Sequence, residues 1–327
     1  MKEDSIHGAL LIHKHAGVSS FGIIQELQRL LHAQKSGLKR KDLPKLGHGG
    51  TLDPFATGLL IVLIGRGVKL ARYFLGSAKT YEGTMCFGAT TEPGDDTAPL
   101  SERCESVPES LPLIQAMADQ MAQSPYLQTP PMFSAKKQNG KPLYLLAREG
   151  IEVEREPKLC HLYDFQIRHY EKPQAQFQVS CSSGTYVRSL AQDLAKQLGS
   201  LAYLTQLHRT ACGIFTLENA LTTQQVQEAL AQGENLGHLP CFVPFDRLLD
   251  GYPQAPITPA EKEALIQGKQ EGLLQMCARA QFRSSPKSRS GQTQDCVALT
   301  EKESLVAVAR RTDHIWSIER VFVSDQS

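Results

Sequence analysis

Six consecutive aliphatic residues, Leu59 to Ile64, follow a turn that contains Gly47, Gly49, Gly50, Asp53, Pro54 and Gly58. A run this apolar has no wet face, so the fold must cover it on both sides. The turn in front holds a single carboxylate, Asp53, between glycines and a proline. A carboxylate placed this way can be a nucleophile, a helix cap or a turn former. For an Asp-Pro pair taken alone, an Asx-turn is the plain alternative. The density of Gly and His around Asp53 resists it, because glycines let a ligand approach the backbone closely.

The 327 residues are 41% hydrophobic and 21% charged, which suits one large domain followed by a smaller one, each able to bury a core without staples. No apolar run approaches a membrane span, and Met1-Lys2-Glu3-Asp4 lacks the order of a signal peptide. A cytoplasmic protein is expected. Eight cysteines lie singly with no Cys-x-x-Cys pair, and the ten histidines lack ligand spacing, so a metal site is not expected. No Gly-x-Gly-x-x-Gly or Walker pattern argues for a nucleotide cofactor.

The net charge is only +1, but it is unevenly spread. Lys35, Lys39, Arg40, Lys41 and Lys45 form one basic run; Lys136, Lys137, Lys141 and Arg148 form a second; Arg279, Arg283, Lys287 and Arg289 form a third. Residues 85–124 carry seven acids against one base. Basic patches on a neutral body suit a polyanion that docks in one place, whereas any one patch alone can be a solvated loop.

Periodicity predicts a strand at 8–13, then a helix from Ser20 to about His32 with Phe21, Ile24, Leu27 and Leu31 at helical spacing. Strands are predicted at 81–87, 161–169, 175–181 and 204–217. Helices are predicted at 111–121, 141–148 and 222–231. Another helix follows Ser182-Ser183-Gly184, with Gly199 ending it. Residues 89–109 read as a loop, and 125–139 as a Pro-rich irregular segment of the kind that is often functional. The prolines at 253, 256 and 259 mark a boundary near 250. Beyond it come a short helix at 260–267, strands at 296–299, 305–310 and 316–323, and a Ser/Lys/Arg-rich loop at 283–295.

Five blocks then occur in a fixed order. They are Gly47-His48-x-Gly50-x-Leu52-Asp53-Pro54-x-Ala56-Thr57-Gly58-Leu59-Leu60; Lys79-Thr80-Tyr81; Pro130 to Gly150, with Lys137 and Lys141; Cys181-Ser182-Ser183-Gly184-Thr185-Tyr186-Val187-Arg188; and Leu207-His208-Arg209-Thr210. Together they resemble the TruB-type tRNA pseudouridine synthases of the stand-alone bacterial kind, across residues 8–217.

The resemblance implies an α+β pseudouridine synthase fold, with a mixed, mainly antiparallel sheet flanked by helices. Residues 1–250 would be the catalytic domain, with a thumb-like RNA-binding segment at about 125–150. Residues 251–327 would be a small, mostly β module of the PUA-like kind. The implied reaction converts the T-loop uridine (tRNA position 55) to pseudouridine, with no cofactor and no metal. The implied partner is the T-arm and elbow of tRNA, met by a monomer with no obligate protein partner.

The resemblance also implies residue roles. Asp53 is the nucleophile, already charged without an activating base. Arg188 pairs with it, and a guanidinium can grip a carboxylate at two points. Tyr81 stacks under the flipped base with its hydroxyl near the proton to be removed. His48, Leu207, Lys137 and Lys141 contact substrate. Each has a plain alternative: a surface helix arginine, a core tyrosine, an exposed loop histidine, a core leucine, solvated lysines. Lys79 is expected to be structural. A glycoside hydrolase places two carboxylates around its bond, and the Asp53 motif has one, as suits an isomerase that excludes water.

The chain departs from the family pattern at Ala78, where an acid is common, and in the run Thr90 to Thr97. Both changes are expected to alter loop packing rather than chemistry. Two other readings stand beside the enzyme: a tRNA-folding chaperone without chemistry, and a guide-RNA-dependent synthase.

Overall fold

The structure is a computed structural model and describes residues 6–34, 43–134, 136–138, 140–282 and 295–322. Most of the basic run from Lys35 and nearly all of the stretch 283–295 lie outside the described residues.

A nine-stranded mixed sheet forms the body. Its order is Leu162–Glu171, Gln174–Cys181, Lys79–Phe87, Ala202–Cys212, Thr57–Ile64, Gly8–Lys14 and Phe242–Pro244. Leu46–His48 adds to Thr57–Ile64, and Phe215–Thr216 adds to Ala202–Cys212. All pairings are antiparallel except that of Ala202–Cys212 with Thr57–Ile64. The aliphatic run is central as its composition demands, buried from Gly58 through Ile64.

That parallel join positions the site. It consists of two residue pairs, His208 with Thr57 and Arg209 with Gly58. The rest of the same edge is taken by Leu46–His48, through Leu46 with Ile64 and His48 with Val62. The two strands separate beyond Gly58, where Gly49 N–H meets the Ile61 carbonyl and Arg209 meets the Gly50 and Thr51 carbonyls. Gly58 is required here. Its φ is +103°, and a Cβ on it would stand 2.3 Å from the Arg209 carbonyl oxygen.

Helices cover the sheet where apolar side chains demand it. Leu111–Gln123 buries Ile114, Ala118 and Met121 beside Leu162–Glu171. Val187–Gln197 buries Leu190 and Leu194 along Ala202–Cys212. Ser20–Gln34 buries Ile23, Ile24 and Leu27 and meets Thr223–Ala231. Among the described residues, no helix is long and apolar enough to cross a membrane.

A second sheet of four strands has the order Gln254–Pro256, Cys296–Glu301, Ser304–Thr312 and Ile315–Val321. Val297, Leu299, Val306 and Ala307 join helices Pro259–Ile266 and Leu273–Ala278 in a separate small core. Cys296, Ala298, Leu305 and Val308 pack instead into the main core. Alternation along the strands, shifted by one residue at Val306, divides the small sheet between two cores.

Several details differ from the sequence expectation. The stretch 89–109, read as a loop, carries the paired strands Ala89–Thr91 and Leu100–Arg103. The strand predicted at 204–217 ends at Cys212 and reverses through Gly213, whose φ of +59° suits only a turn. The segment expected to be irregular at 125–139 contains the strand Tyr126–Gln128, paired with Lys158–Cys160. The helix Leu273–Ala278 was not expected, because six residues are too short a window to show a helical period.

Candidate active site

The Asp53 turn is fixed by its backbone. Ala56 N–H donates to the Asp53 carbonyl at 3.1 Å, closing a turn with Pro54 in its favoured second position. Gly17 N–H donates to the Pro54 carbonyl at 2.9 Å. The Leu52 N–H donates to Ser20 Oγ at 2.8 Å, and that hydroxyl faces the Leu52 carbonyl at 3.1 Å. The turn is thus closed by the main chain of Asp53, which leaves its carboxylate free for other work.

Two buried cations hold the carbonyls of the same loop. Lys14 Nζ donates to Ala56 at 2.6 Å, Pro54 at 3.1 Å and His15 at 2.9 Å. Arg209 donates from Nε to Leu59 at 2.7 Å, and from its two terminal nitrogens to Thr51 and Gly50 at 3.3 and 3.2 Å. Lys14 and Arg209 are 0% and 1% exposed. Burial lowers the Lys14 pKa to about 8; Asp53 nearby opposes the fall and Arg209 adds to it.

Arg188 meets Asp53 across 135 residues of sequence, Nε to Oδ2 at 2.8 Å. The arginine side chain is 4% exposed and the aspartate side chain 33%, so the carboxylate keeps an open side. The two-point grip expected from the sequence is not formed. Arg188 Nη1 donates to the Pro93 carbonyl at 2.6 Å and Nη2 to the Phe133 carbonyl at 2.8 Å. Asp95 Oδ2 lies 3.7 Å from Nη1. One nitrogen is left for Asp53, because the other two fix the arginine between the 90–97 run and the thumb-like segment. The 90–97 run therefore does more than pack a loop.

The helix that carries Arg188 starts at Val187 without a side-chain cap. The buried Gln128 side chain serves instead: Tyr186 N–H donates to its Oε1 at 2.7 Å, and its Nε2 donates to the Tyr186 carbonyl at 2.9 Å. Gln128 belongs to the strand that sequence patterning missed.

Tyr81 stands between Val179 and Arg209 in cross-strand register. Burial pushes its hydroxyl up to about 12, with Arg209 pulling the other way. Leu207 pairs with Gly83, two positions along, and so lies on the same face of the sheet as Tyr81 and Arg209. His48 is half-buried on the edge strand. Burial lowers its pKa, Arg209 adds to that, and its Nδ1 has no hydrogen-bond partner. A buried ring nitrogen without a partner is costly unless a ligand supplies one.

Lys79 is structural, as expected: its ammonium holds the carbonyls of Phe74, Leu75 and Ser77 at 2.9, 3.0 and 2.6 Å. Lys137 and Lys141 lie on a two-stranded hairpin, away from the ion pair's hydrogen bonds. Lys137 is exposed, while Lys141 is paired with Glu149 at 2.5 Å.

Sequence reasoning missed Lys14, Asp95 and Gln128, and left Arg209 without a role. Lys14 carried a signal, a lone charge ending the apolar strand that starts at Gly8. Asp95 sat unremarked among acids, and nothing distinguishes Gln128 in one sequence. Among the described residues, no group of three or more His, Cys, Asp or Glu side chains is placed to hold a metal ion.

Comparison with known proteins follows the same lines. A model described as TruB family pseudouridylate synthase, N-terminal domain, matches residues 35–187. A second, described as tRNA pseudouridylate synthase B C-terminal domain, matches 188–250. A tRNA pseudouridine synthase B of Azoarcus sp. (strain BH72) is 36% identical over 272 residues, covering 81% of this chain and 83% of its own. That of Bordetella avium (strain 197N) is 40% identical over 226 residues, covering 68% and 87%. Among solved structures, the chain resembles one in a Cbf5-Nop10-Gar1 complex with a TM-score of 0.68 at 20% identity, covering 98% of this chain and 84% of that one. The likeness at that identity is one of fold.

Proposed function

Because the chain belongs to the TruB family of pseudouridylate synthases, we propose that it converts a uridine of tRNA to pseudouridine, acting on the T-loop. Asp53 is the nucleophile. The observation that carries this is the Asp53–Arg188 ion pair, which joins the turn to a helix 135 residues away at 2.8 Å.

The reaction breaks the bond from ribose to uracil N1, turns the base and forms a bond to its carbon 5. The proton on carbon 5 is lost and one is returned to the base nitrogen, so no atom is gained. The uridine must leave its stack to reach Asp53. The open third of the Asp53 side chain is the surface available to it. Arg188 keeps the carboxylate aimed and charged once RNA has displaced water. Tyr81 and Leu207 supply the flat and apolar walls from one sheet face, and His48 Nδ1 is an unspent partner for a polar edge.

With its pKa near 12, Tyr81 is a neutral phenol. Only about 1 in 10⁵ molecules would carry the phenolate at pH 7. Its hydroxyl therefore serves first as a hydrogen-bonding group against the base. Proton removal by Tyr81 requires the substrate to drive its ionisation.

Residues 1–250 form the catalytic part in this reading, and 251–327 a small RNA-binding module; the separate core of the second sheet supports that division. The protein acts as a monomer in the cytoplasm without cofactor, guide RNA or protein partner. Its eight free cysteines suit a reducing compartment.

The test uses purified protein, an unmodified tRNA transcript and EDTA, followed by mapping of pseudouridine. Conversion of the T-loop uridine is expected. Asp53→Asn should abolish turnover and leave tRNA affinity within a few-fold. A chaperone without chemistry gives no pseudouridine with either protein, and conversion by Asp53→Asn removes the nucleophile assignment.

A further inference from the structure

The second sheet reaches the Asp53 turn through one short helix. Ala71–Gly76 is six residues long, too short to hold its own position. Its outer anchor is on the last strand of the second sheet: the Tyr73 hydroxyl donates to Glu319 Oε2 at 2.5 Å. Arg72 pairs with Glu319 as well, and Arg310 Nε lies 3.3 Å from both of its oxygens. Tyr252, in the link before the second sheet, donates its hydroxyl to the Tyr73 carbonyl at 3.0 Å.

The inner side of that helix supports the loop. The base of the Phe74 side chain lies under Gly49; a Cβ on Gly49 would stand 2.6 Å from Phe74 Cβ and 3.0 Å from Cγ. Gly49 has no slack on its other side, because its N–H donates to the Ile61 carbonyl at 2.9 Å. Gly47 is not held this way: a Cβ on it would meet the Val68 side chain only at 3.4 Å, an ordinary contact. Gly49 is four residues from Asp53, and His48 directly precedes it.

We infer that Glu319 is a positioning residue for the Asp53 loop, acting through the Tyr73 hydroxyl and the Phe74–Gly49 contact. It rests on the proposed function only for its kinetic readout. A helix clamped between Glu319 and Lys79 transmits displacement because packed contacts at van der Waals distance do not yield gradually. The second sheet then has two separable roles. Whatever RNA contact it makes sets affinity, and Glu319 sets the geometry of the loop. A misplacement of a fraction of an ångström at Asp53 lowers turnover without changing the surface that holds tRNA.

The experiment compares wild type with Tyr73→Phe, Glu319→Ala, Glu319→Gln and the Tyr73→Phe/Glu319→Ala pair. It measures kcat and KM for tRNA, thermal melting, and hydrogen exchange at the amides of residues 49–52. Tyr73→Phe removes one oxygen and is expected to lower kcat about tenfold, with KM within twofold. Glu319→Ala should do the same, and the pair should be no worse than the poorer single variant, because both cut one path. Glu319→Gln keeps an acceptor for the Tyr73 hydroxyl and should recover most of the loss. Amide exchange in 49–52 should rise in step with the kcat loss.

Unchanged kcat and exchange in Tyr73→Phe would overturn the inference, as would a loss confined to KM. If Glu319→Ala does not fold, Tyr73→Phe alone decides. A wild type that converts no uridine overturns the proposed function instead, and the exchange arm still decides this inference.

Discussion

Lys14 sets stability and activity against each other. It is 0% exposed, and burial lowers its pKa from 10.5 to about 8. Keeping it charged at pH 7 therefore costs the fold about 3 kcal/mol, at about 1.4 kcal/mol per unit. Lys14→Met removes that cost. It also removes donors from three carbonyls, but Pro54 keeps Gly17 N–H and the His15 carbonyl is only part-buried. The Ala56 carbonyl is the one stranded, at about 1–3 kcal/mol. The two terms nearly cancel, so the variant should melt within a few degrees of wild type at pH 7. Its kcat should fall by about 10- to 100-fold, because the loop carrying Asp53 has lost one of its two cationic anchors.

The pH dependence has a definite sign. The folded pKa lies below the unfolded one, so the penalty is complete below about pH 8 and is relieved as pH rises toward 10.5. Urea denaturation at pH 7 and pH 9.5 should show wild type gaining about 2 kcal/mol relative to Lys14→Met. Wild-type kcat/KM should decline above about pH 8, as the neutral amine loses a donor, and this limb should be missing in the variant. A stability difference that is the same at both pH values, or an alkaline limb that persists in Lys14→Met, would refute the reasoning.

Three further outcomes follow from particular contacts. Gly58→Ala forces a Cβ to 2.3 Å from the Arg209 carbonyl at a φ of +103°; a loss of about 3 kcal/mol or more is expected in urea melts. Glu303 turns the hairpin between two strands of the second sheet with a φ of +71°. Glu303→Gly should stabilise by about 0.5–1 kcal/mol in thermal melts, with activity unchanged. Lys137 is exposed and Lys141 is held by Glu149. Lys137→Ala should therefore lower the salt slope of tRNA binding by about 0.7–0.9, and Lys141→Ala by less.

What the sequence made legible follows from how far each signal reaches along the chain. The central strand was readable because six aliphatic residues admit one solution. The Asp53 turn was readable as a turn, and its pairing with Arg188 came from five ordered motifs, since nothing local links residues 135 apart. The form of that pairing was not readable. Whether a guanidinium gives a carboxylate one nitrogen or two depends on which other acceptors surround it. Here they come from Pro93 and Phe133, in two segments that the sequence left as loops. Gln128 and Glu319 were invisible for the same reason: each acts on an element distant in sequence, through a contact that no spacing rule encodes.

The placement of charge gives the site its physical logic. Lys14, Arg188 and Arg209 are all nearly closed to water, and the carboxylates among them are Asp53 and Asp95. Buried cations are unfavourable in a free protein, and the Lys14 pKa is lowered first by its burial, with Asp53 opposing and Arg209 adding to the fall. A polyanion docking over the Asp53 loop would relieve it, because nearby phosphate charge stabilises each cation at low dielectric. Binding RNA would then tighten the two anchors that fix the Asp53 loop, and the carboxylate would be held most firmly when a nucleotide is present to react. The alkaline limb tests this coupling directly. With tRNA saturating, the apparent pKa of Lys14 should rise above about 8, so the decline in kcat should begin at higher pH than the decline in kcat/KM. Coincident limbs would mean that the bound RNA does not reach this charge.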